Sequence, residues 1–334
     1  MFVEKENNLN HTDSQAEVAC RQAMSDAGFA FGSPPAAFHW SQLIKPTGDK
    51  KAAKAAYEIL LMSEPHNKSA LEGLAYLYQT MGMSAQAQQY RKKLRYAEVK
   101  ALGLKEECQN EAVEFLLAKT GEALQPDKMP IALIAAYFDK HAHQFDSLLQ
   151  GPLEYRGHEL IREQVIDVYK TSGRHLNVLD LGCGTGLVGE SIFEFATVIH
   201  GMDLSEKMLD FARERNVYDQ LYAEDYLIAI KPMKDAYDLV IASDVLNYRG
   251  DLEETFYRVN DALEVGGEFI FTIELGNKAK DFMLRNTGRY QHSNEYIQKL
   301  AYQHNYTIIH DEDVELRKEK GNFIDAKLYR LKKS

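Results

Sequence analysis

The most informative run of this chain is Asn177-Val178-Leu179-Asp180-Leu181-Gly182-Cys183-Gly184-Thr185-Gly186-Leu187. It has the pattern of an apolar strand that carries an acid near its end and continues into three alternate glycines. Glycine lets a backbone approach a ligand closely, because it lacks a Cβ and tolerates turn conformations that other residues avoid. The run therefore predicts a strand-to-helix turn that holds a nucleotide-derived cofactor.

The glycine spacing and the charge of Asp180 narrow the class of cofactor. A dinucleotide fingerprint has its third glycine where Leu187 stands, and the Gly-Lys-Ser/Thr of a phosphate-binding loop is missing. Asp180 would repel a pyrophosphate that needs the positive end of the following helix. It would instead attract an ammonium group, so a cofactor with an amino-acid end, an adenosine end and no phosphate fits better.

Residues 179–186 resemble motif I of class I S-adenosylmethionine-dependent methyltransferases, and later segments agree in order and spacing. Residues 197–203 read as a second strand that ends in an acid about twenty residues after the first glycine. The further matching segments are residues 220–225 for the third strand, 237–246 for the fourth strand and its loop, and 265–271 for the turn into the fifth, with Val265 where proline is usual. The resemblance implies S-adenosylmethionine as cofactor and S-adenosylhomocysteine as product.

The resemblance also implies that carboxylates at successive strand ends hold the cofactor. Asp203 would accept hydrogen bonds from both ribose hydroxyls, and Asp225 would face the adenine amino group. Ligands of open α/β sheets lie beyond the carboxyl ends of the strands, so we expect these side chains around one crevice. The predicted cofactor-binding residues are Tyr137, Asp180, Gly182, Cys183, Gly184, Gly186, Asp203, Leu204, Met208, Glu224, Asp225, Tyr226 and Ser243.

The acceptor of the methyl group is expected on the other side of that crevice. Asn247, Tyr248 and Glu274 would line this side, and Arg289 would clamp a carboxylate through two hydrogen bonds. A loop over residues 276–292 could close over the crevice. These four side chains are the predicted substrate-binding residues.

Proton removal is a separate question, because a hydroxyl or ammonium acceptor needs a base and a carboxylate acceptor does not. Tyr290 and His292 are predicted to orient or deprotonate an acceptor, and Asp244 is the third predicted catalytic residue. Residues 244–247 read Asp-Val-Leu-Asn, not Asn-Pro-Pro-Tyr. This difference disfavours methylation of amide or exocyclic nucleobase nitrogens.

Composition bounds the class of protein and its partners. A chain of 334 residues with 45% hydrophobic and 27% charged residues predicts two globular domains. Cys20, Cys108 and Cys183 are isolated, so neither a disulfide framework nor a metal site is predicted. A net charge of −11 opposes binding to nucleic acid. No leader pattern or membrane-spanning apolar run is seen, so we expect a cytoplasmic protein that does not bind membranes.

The N-terminal third is predicted to be helical. After a loosely ordered lead-in over residues 1–40, Ala53, Tyr57, Leu60 and Pro65 fall at the spacings of the closing helix of a tetratricopeptide repeat. The opening helix of a next repeat is indicated by Leu71, Leu74, Ala75, Tyr78 and Gly82. Fewer than three repeats are visible, so we predict a short helical domain over residues 41–125. It would either dock a protein or brace the catalytic domain.

Residues 126–160 are predicted to be a linker followed by helices that cover the cofactor. Tyr137, His141 and Phe145 would share one helix face, because residues four apart are neighbours. This segment resembles the helix that precedes motif I in many small-molecule methyltransferases. From about residue 50 onward the chain looks most like predicted methyltransferases that carry N-terminal tetratricopeptide repeats.

Residues 161–334 are predicted to form the methyltransferase domain, of the α/β class. The resemblance implies a Rossmann-like seven-stranded sheet in the order 3-2-1-4-5-7-6, with strand seven reversed. The last two strands, joined by a turn near residues 320–322, would pair as a hairpin.

The sequence thus predicts S-adenosylmethionine-dependent methyl transfer to O or N of a small, acidic or carrier-linked metabolite. One alternative is a protein methyltransferase that docks its target through the helical domain. Another is a scaffold that binds the cofactor without catalysis. The methyl acceptor, the use of a base and the oligomeric state are left open at this point.

Overall fold

The computed structural model describes residues 50–334, which divide into two compact units after Ala101. The predicted lead-in and Cys20 lie outside the described residues. Helix α4 (Glu106–Ala118), which the sequence placed in the helical domain, clusters with the second unit.

The described part of the first unit consists of three helices, α1 (Lys50–Ser63), α2 (Lys68–Thr80) and α3 (Ser84–Ala101). Asn67 caps α2 by accepting a hydrogen bond from the backbone N of Ala70 at 3.0 Å. The ring of Tyr57 packs where a Cβ on Gly73 would lie, only 2.3 Å from its Cζ. These contacts confirm the helical prediction, while the repeat identity of the helices stays a prediction.

The second unit is built on one sheet with helices on both faces. Its strands are β1 (Leu176–Leu181), β2 (Ala196–Asp203), β3 (Gln220–Ala223), β4 (Tyr237–Ala242), β5 (Leu263–Leu275), β6 (Phe282–Leu284), β7 (Tyr290–His292), β8 (Tyr306–Glu319) and β9 (Asn322–Lys333). Its helices after α4 are α5 (Ile131–His141), α6 (Phe145–Gln150), α7 (Gly157–Ser172), α8 (Leu187–Ile192), α9 (Glu206–Glu214), α10 (Tyr226–Ala229), α11 (Glu253–Ala262) and α12 (Asn294–Gln303). All six residues of β4 are buried, as expected for a parallel strand covered on both faces.

The described residues form a nine-stranded sheet, so the predicted count of seven is corrected. Strands β3-β2-β1-β4-β5 follow the predicted order, β9 then pairs antiparallel with β5, and β8 pairs with β9. Taken as strands seven and six, β9 and β8 complete the expected order. The two additional strands, β6 and β7, form a short hairpin within residues 276–292 that the sequence did not indicate, because strands of three residues carry almost no periodic signal.

The predicted C-terminal hairpin is present, and its strands are long. The turn between β8 and β9 contains Lys320 (φ 51°) and Gly321 (φ 86°), the left-handed pair that a tight hairpin turn requires. Pairing runs from Tyr306 opposite Lys333 to Glu319 opposite Asn322. Through this hairpin, residues at the far end of β8 reach the carboxyl ends of β4 and β5.

Candidate active site

The turn after β1 has the backbone conformation that its glycines predict. Gly182 and Gly184 have φ of 65° and 55°, in the left-handed region that favours glycine. Val245 packs against Gly182, where a Cβ would lie 2.3 Å from its Cγ2. A Cβ on Gly184 would meet only the Phe145 ring, at 3.9 Å. The turn is therefore closely packed on one side and open on the side that faces a cavity.

That cavity lies at the carboxyl ends of the strands and collects most of the predicted site residues. Those that line it are Tyr137, Asp180, Gly182, Cys183, Gly184, Asp203, Leu204, Met208, Glu224, Asp225, Tyr226, Ser243, Asp244, Tyr248 and Arg289. Five predicted residues do not line it: Gly186, Asn247, Glu274, Tyr290 and His292. Lining residues that the sequence reasoning missed include Met129, Phe138, Leu149, Tyr155, Thr185, Arg249 and Arg317.

Two carboxylates lie under the glycine turn, Asp180 buried and Asp203 half-buried. Asp180 is 1% exposed and accepts a hydrogen bond from the Tyr218 hydroxyl at 2.8 Å. Burial, together with the nearby negative charge of Asp203, raises the pKa of Asp180 to about 7. Asp203 accepts from the backbone N of Gly184 at 3.0 Å and of Ser205 at 2.8 Å. Burial still raises the pKa of Asp203 to about 6.

Because both pKa values are raised, we expect this site to favour a ligand that carries a positive charge. Each carboxylate is costly to ionise where it stands, and a bound positive charge would favour its ionised form. Both face a cavity whose backbone at Gly184 leaves room for a ligand. A cofactor with an ammonium group and vicinal hydroxyls fits these donors and acceptors.

Asp225 already has a cationic partner. The Arg249 guanidinium donates to both Asp225 oxygens at 2.6 Å, and it lies 5.0 Å from the centre of the Tyr226 ring. Asp225 also caps α10 by accepting from the backbone N of Leu227 at 3.1 Å. An adenine amino group would have to use the remaining lone pairs of this carboxylate. No local sequence signal pointed to Arg249.

Helices α5 and α6 are fastened over the cavity by polar contacts. Asp139 on α5 accepts from the Ser205 hydroxyl at 2.6 Å, and Asp146 on α6 accepts from the Thr185 hydroxyl at 2.5 Å. Arg215 also donates to Asp146, at 2.5 Å. Tyr137 and His141 on α5 line the cavity, and so does Phe145. Phe145 begins the separate helix α6, so the prediction that all three share one helix face is corrected. A ligand in the cavity would thus be covered by aromatic rings.

On the side of the cavity predicted to receive the acceptor, charged groups from four segments converge. Glu274, at the end of β5, has a fully buried side chain that receives the Arg317 guanidinium and Nη1 of Arg285, the latter at 2.7 Å. Arg317, on β8, is 1% exposed and also donates through Nε to Asp244 at 2.8 Å. Asp244 further accepts from Nδ2 of Asn247 at 2.7 Å. The carboxylates of Asp244 and Glu274 are thus each hydrogen-bonded to an arginine.

Arg289 contacts this cluster more loosely. Its Nε is buried without a hydrogen-bond partner and lies 3.9 Å from Glu274 in an ion pair. Its guanidinium carbon is 5.9 Å from the centre of the Tyr248 ring. Burial disfavours the charge, but Tyr248, Asp244 and Glu274 outweigh it and raise the pKa of Arg289. The cavity lining therefore includes a charged guanidinium that makes no hydrogen bond through Nε.

Tyr290 and His292, two of the three predicted catalytic residues, do not line the cavity, and we correct their expected position. Both are fully buried. The Tyr290 hydroxyl donates to the carbonyl of Pro126 at 2.7 Å. His292 donates through Nε2 to the carbonyl oxygens of Arg249 and Gly250, at 2.9 and 3.1 Å, and burial lowers its pKa to about 4. These bonds favour a role in packing the linker and the loop after β4.

Tyr155 is a polar group that the sequence reasoning did not select. Its hydroxyl shares a hydrogen bond of 2.7 Å with the Ser243 hydroxyl at the end of β4. Burial, assisted by the nearby charge of Asp244, raises the pKa of Tyr155. The hydroxyl therefore stays protonated and can only orient a ligand by hydrogen bonding.

Comparison with known proteins identifies the class of domain. Residues 179–269 match the family model of a methyltransferase domain. YqeM of Bacillus subtilis, named as a putative methyltransferase, is 32% identical over 142 residues. The matched segment is 40% of this chain and 58% of that protein. The malonyl-[acyl-carrier protein] O-methyltransferase of Legionella pneumophila is 26% identical over 174 residues, or 49% of this chain and 58% of that protein.

Among solved structures, the chain is similar to magnesium protoporphyrin IX methyltransferase from Synechocystis PCC 6803 with bound SAH. The TM-score is 0.48 at 17% identity, over 61% of this chain and 99% of that chain. The chain spans about half the length of the curated relatives it matches, between 43% and 58%. The match over residues 179–269, which begins in β1 and ends in β5, shows that the second unit contains a methyltransferase domain.

Residues 50–334 lack two features, a membrane-spanning helix and a metal-binding group of side chains. None of the helices described there combines the length and the apolar character needed to cross a bilayer. The same residues contain no group of three or more His, Cys, Asp or Glu side chains arranged to hold a metal ion.

Proposed function

We propose that this protein transfers the methyl group of S-adenosylmethionine to an oxygen or nitrogen of a small, acidic or carrier-linked metabolite. The match of residues 179–269 to a methyltransferase domain supports the reaction class. The observation that supports this cofactor is the pair of carboxylates, buried Asp180 and half-buried Asp203, beside a glycine turn that is open towards the cavity.

In this proposal each group under the turn has one task. When bound, the cofactor supplies an activated methyl group on a sulfonium. Asp180 receives the ammonium group, and Asp203 accepts hydrogen bonds from the ribose hydroxyls. The ring of Phe138 contacts those of Phe145 and Tyr248 edge to face, with 5.7 Å between the ring centres in each pair. These rings exclude water and provide aromatic faces that attract a cation.

The acidic character of the metabolite rests on Arg289. Arg289 lines the cavity, its Nε has no hydrogen-bond partner, and a guanidinium binds carboxylates with two parallel hydrogen bonds. Relatives of the chain support an oxygen acceptor, because two of them are named O-methyltransferases.

We also propose that helices α1 to α3 resemble tetratricopeptide repeats. The packing of Tyr57 on Gly73 supports this proposal.

Isothermal titration with S-adenosylmethionine tests the cofactor site. Asp203→Ala should weaken binding about tenfold or more, because a lost hydrogen bond to a charged group costs roughly 1.5–3 kcal/mol. Asp210→Ala is the matched control, since Asp210 is an exposed residue on α9 that pairs with Arg213. Equal affinities of the Asp203 variant and the unchanged protein would count against this site.

A further inference from the structure

The acceptor end of the cavity combines an arginine that lacks a hydrogen bond at Nε with an absence of free bases among the residues that converge there. The arginine is Arg289, which lies 3.9 Å from Glu274 in an ion pair without a hydrogen bond. The carboxylates of Asp244 and Glu274 are both bonded to Arg317. The hydroxyl of Tyr155 is bonded to Ser243.

The two side chains that the sequence offered as bases do not reach this end. Tyr290 and His292 are buried outside the cavity and donate to backbone carbonyls. His141 does line the cavity, and its Nδ1 donates to the Tyr137 carbonyl at 2.7 Å, which leaves the lone pair on Nε2. His141 is the last residue of α5, however, and is close in the chain to Phe145, whose ring lies next to Gly184 in the glycine turn. We therefore place His141 at the cofactor end of the cavity. The start of α5 is the end near the acceptor side, since Met129 donates to the Tyr248 carbonyl at 2.9 Å.

An acceptor that needs no deprotonation suits this arrangement. Resting on the proposed methyl transfer, we propose that the acidic group of the metabolite is itself the acceptor, a carboxylate that is held by Arg289 and converted to its methyl ester. One carboxylate oxygen stays hydrogen-bonded to the guanidinium, and the other forms the new bond to the methyl carbon. The carbon–sulfur bond breaks with its electron pair remaining on sulfur, and no proton is transferred.

The surroundings of Arg289 favour such a reaction. The negative charge of the carboxylate and the positive charge of the sulfonium cancel as the bond forms, so a dry, weakly polar cavity helps the reaction more than water would. Tyr248 covers one face of the guanidinium. Glu274 lies 3.9 Å from Nε of Arg289 but makes its hydrogen bonds to Arg317 and Arg285, so Nε of Arg289 is left without a hydrogen bond of its own.

Binding of the acidic group can be measured without catalysis. Protein saturated with S-adenosylhomocysteine is titrated with a series of straight-chain aliphatic carboxylic acids and with the matched primary amides. We expect the acids to bind more tightly than the amides, and Arg289→Gln to weaken acid binding at least about tenfold. Arg258→Gln is a close control, because Arg258 has similar exposure and an Nε without a hydrogen bond but lies on α11 outside the cavity. Equal binding of acids and amides would overturn the proposal.

The chemical stability of the product gives the second readout. Protein and methyl-labelled cofactor are incubated with the same acids, their matched alcohols and amines, and a small-molecule cell extract. Methyl esters release volatile labelled methanol in alkali, whereas ethers and N-methyl products retain the label. Label that resists alkali, as expected if His141 deprotonated a hydroxyl, would refute the ester while leaving the proposed methyltransferase function intact. Failure to bind S-adenosylmethionine or S-adenosylhomocysteine would instead refute that function.

Discussion

The two ends of the cavity are built in different ways. At the cofactor end, Asp180 and Asp203 lie at the carboxyl ends of neighbouring strands, and neither carboxylate has a basic side chain as hydrogen-bond partner. At the acceptor end, Asp244 and Glu274 are paired with Arg317, which comes from the last hairpin. The cofactor end therefore has two acids without a cationic partner, and the acceptor end has a cluster of acids and arginines that pair with one another.

The difference predicts which end is a structural support and which is a ligand site. A compensated buried cluster stabilises the fold only as a complete set, because removal of one member leaves charges buried without a partner. An uncompensated acid pair costs stability until its ligand arrives. The same kind of substitution should therefore act on folding at one end and on binding at the other.

The largest effect is expected from Arg317→Met. This substitution leaves Asp244 and Glu274 without their shared partner and should lower the free energy of unfolding by about 3–5 kcal/mol. Urea denaturation checks the value. Arg213→Met is the control, because its pairs with Glu206 and Asp210 are exposed and each contributes at most about 1 kcal/mol. Similar losses in the two variants would remove the distinction between the two ends.

The next effect is the pH dependence of cofactor binding. With the pKa of Asp180 near 7 and that of Asp203 near 6, the free site holds protons that a cationic ligand must displace. Affinity for S-adenosylmethionine should therefore rise about tenfold or more between pH 6 and pH 8, and level off above. Titration calorimetry across this range measures the change, and a flat profile would show that the acids do not contact the cofactor.

The same shifts determine the sign of the stability change in the ligand-free protein. Both folded-state pKa values lie above those of an unfolded aspartate, so the folded state binds more protons between about pH 4 and pH 7. The contribution of these two groups to stability therefore falls as pH rises through that range. Cofactor should raise the melting temperature more at pH 8 than at pH 6.

The smallest effect is expected from Tyr218→Phe. Its hydroxyl donates to Asp180 and lowers the pKa of that carboxyl, so its removal should raise the pKa further. Cofactor affinity near pH 7 should fall by a factor of about five, as for one hydrogen bond worth roughly 1 kcal/mol. Tyr257→Phe, on the exposed face of α11, is the control. A loss that persists undiminished at pH 8.5 or above would mean that Tyr218 acts by packing and not through Asp180.

Much of the fold was available from the sequence because its signals are local. The alternation of apolar strands and helices indicated a parallel sheet, and the resemblance to class I methyltransferases implied the order β3-β2-β1-β4-β5 that the structure has. Ser205 and Ser293, each directly before a helix, cap α9 and α12. The short β6–β7 hairpin was missed, because its length gives no usable period. For the site, the carboxylates at the ends of β1 and β2 were found by motif and spacing.

The sequence by itself determined the glycine turn, the acids beside it and the class of domain, since each depends on residues close together in the chain. Only the tertiary structure decided that Arg317 and Arg249 line the cavity and that Tyr290 and His292 do not. Arg317 lies 73 residues from Asp244 in the chain, and Arg249 lies 24 from Asp225. Such contacts arise from the packing of whole strands and loops, and a buried ion pair between distant segments has no sequence period to reveal it.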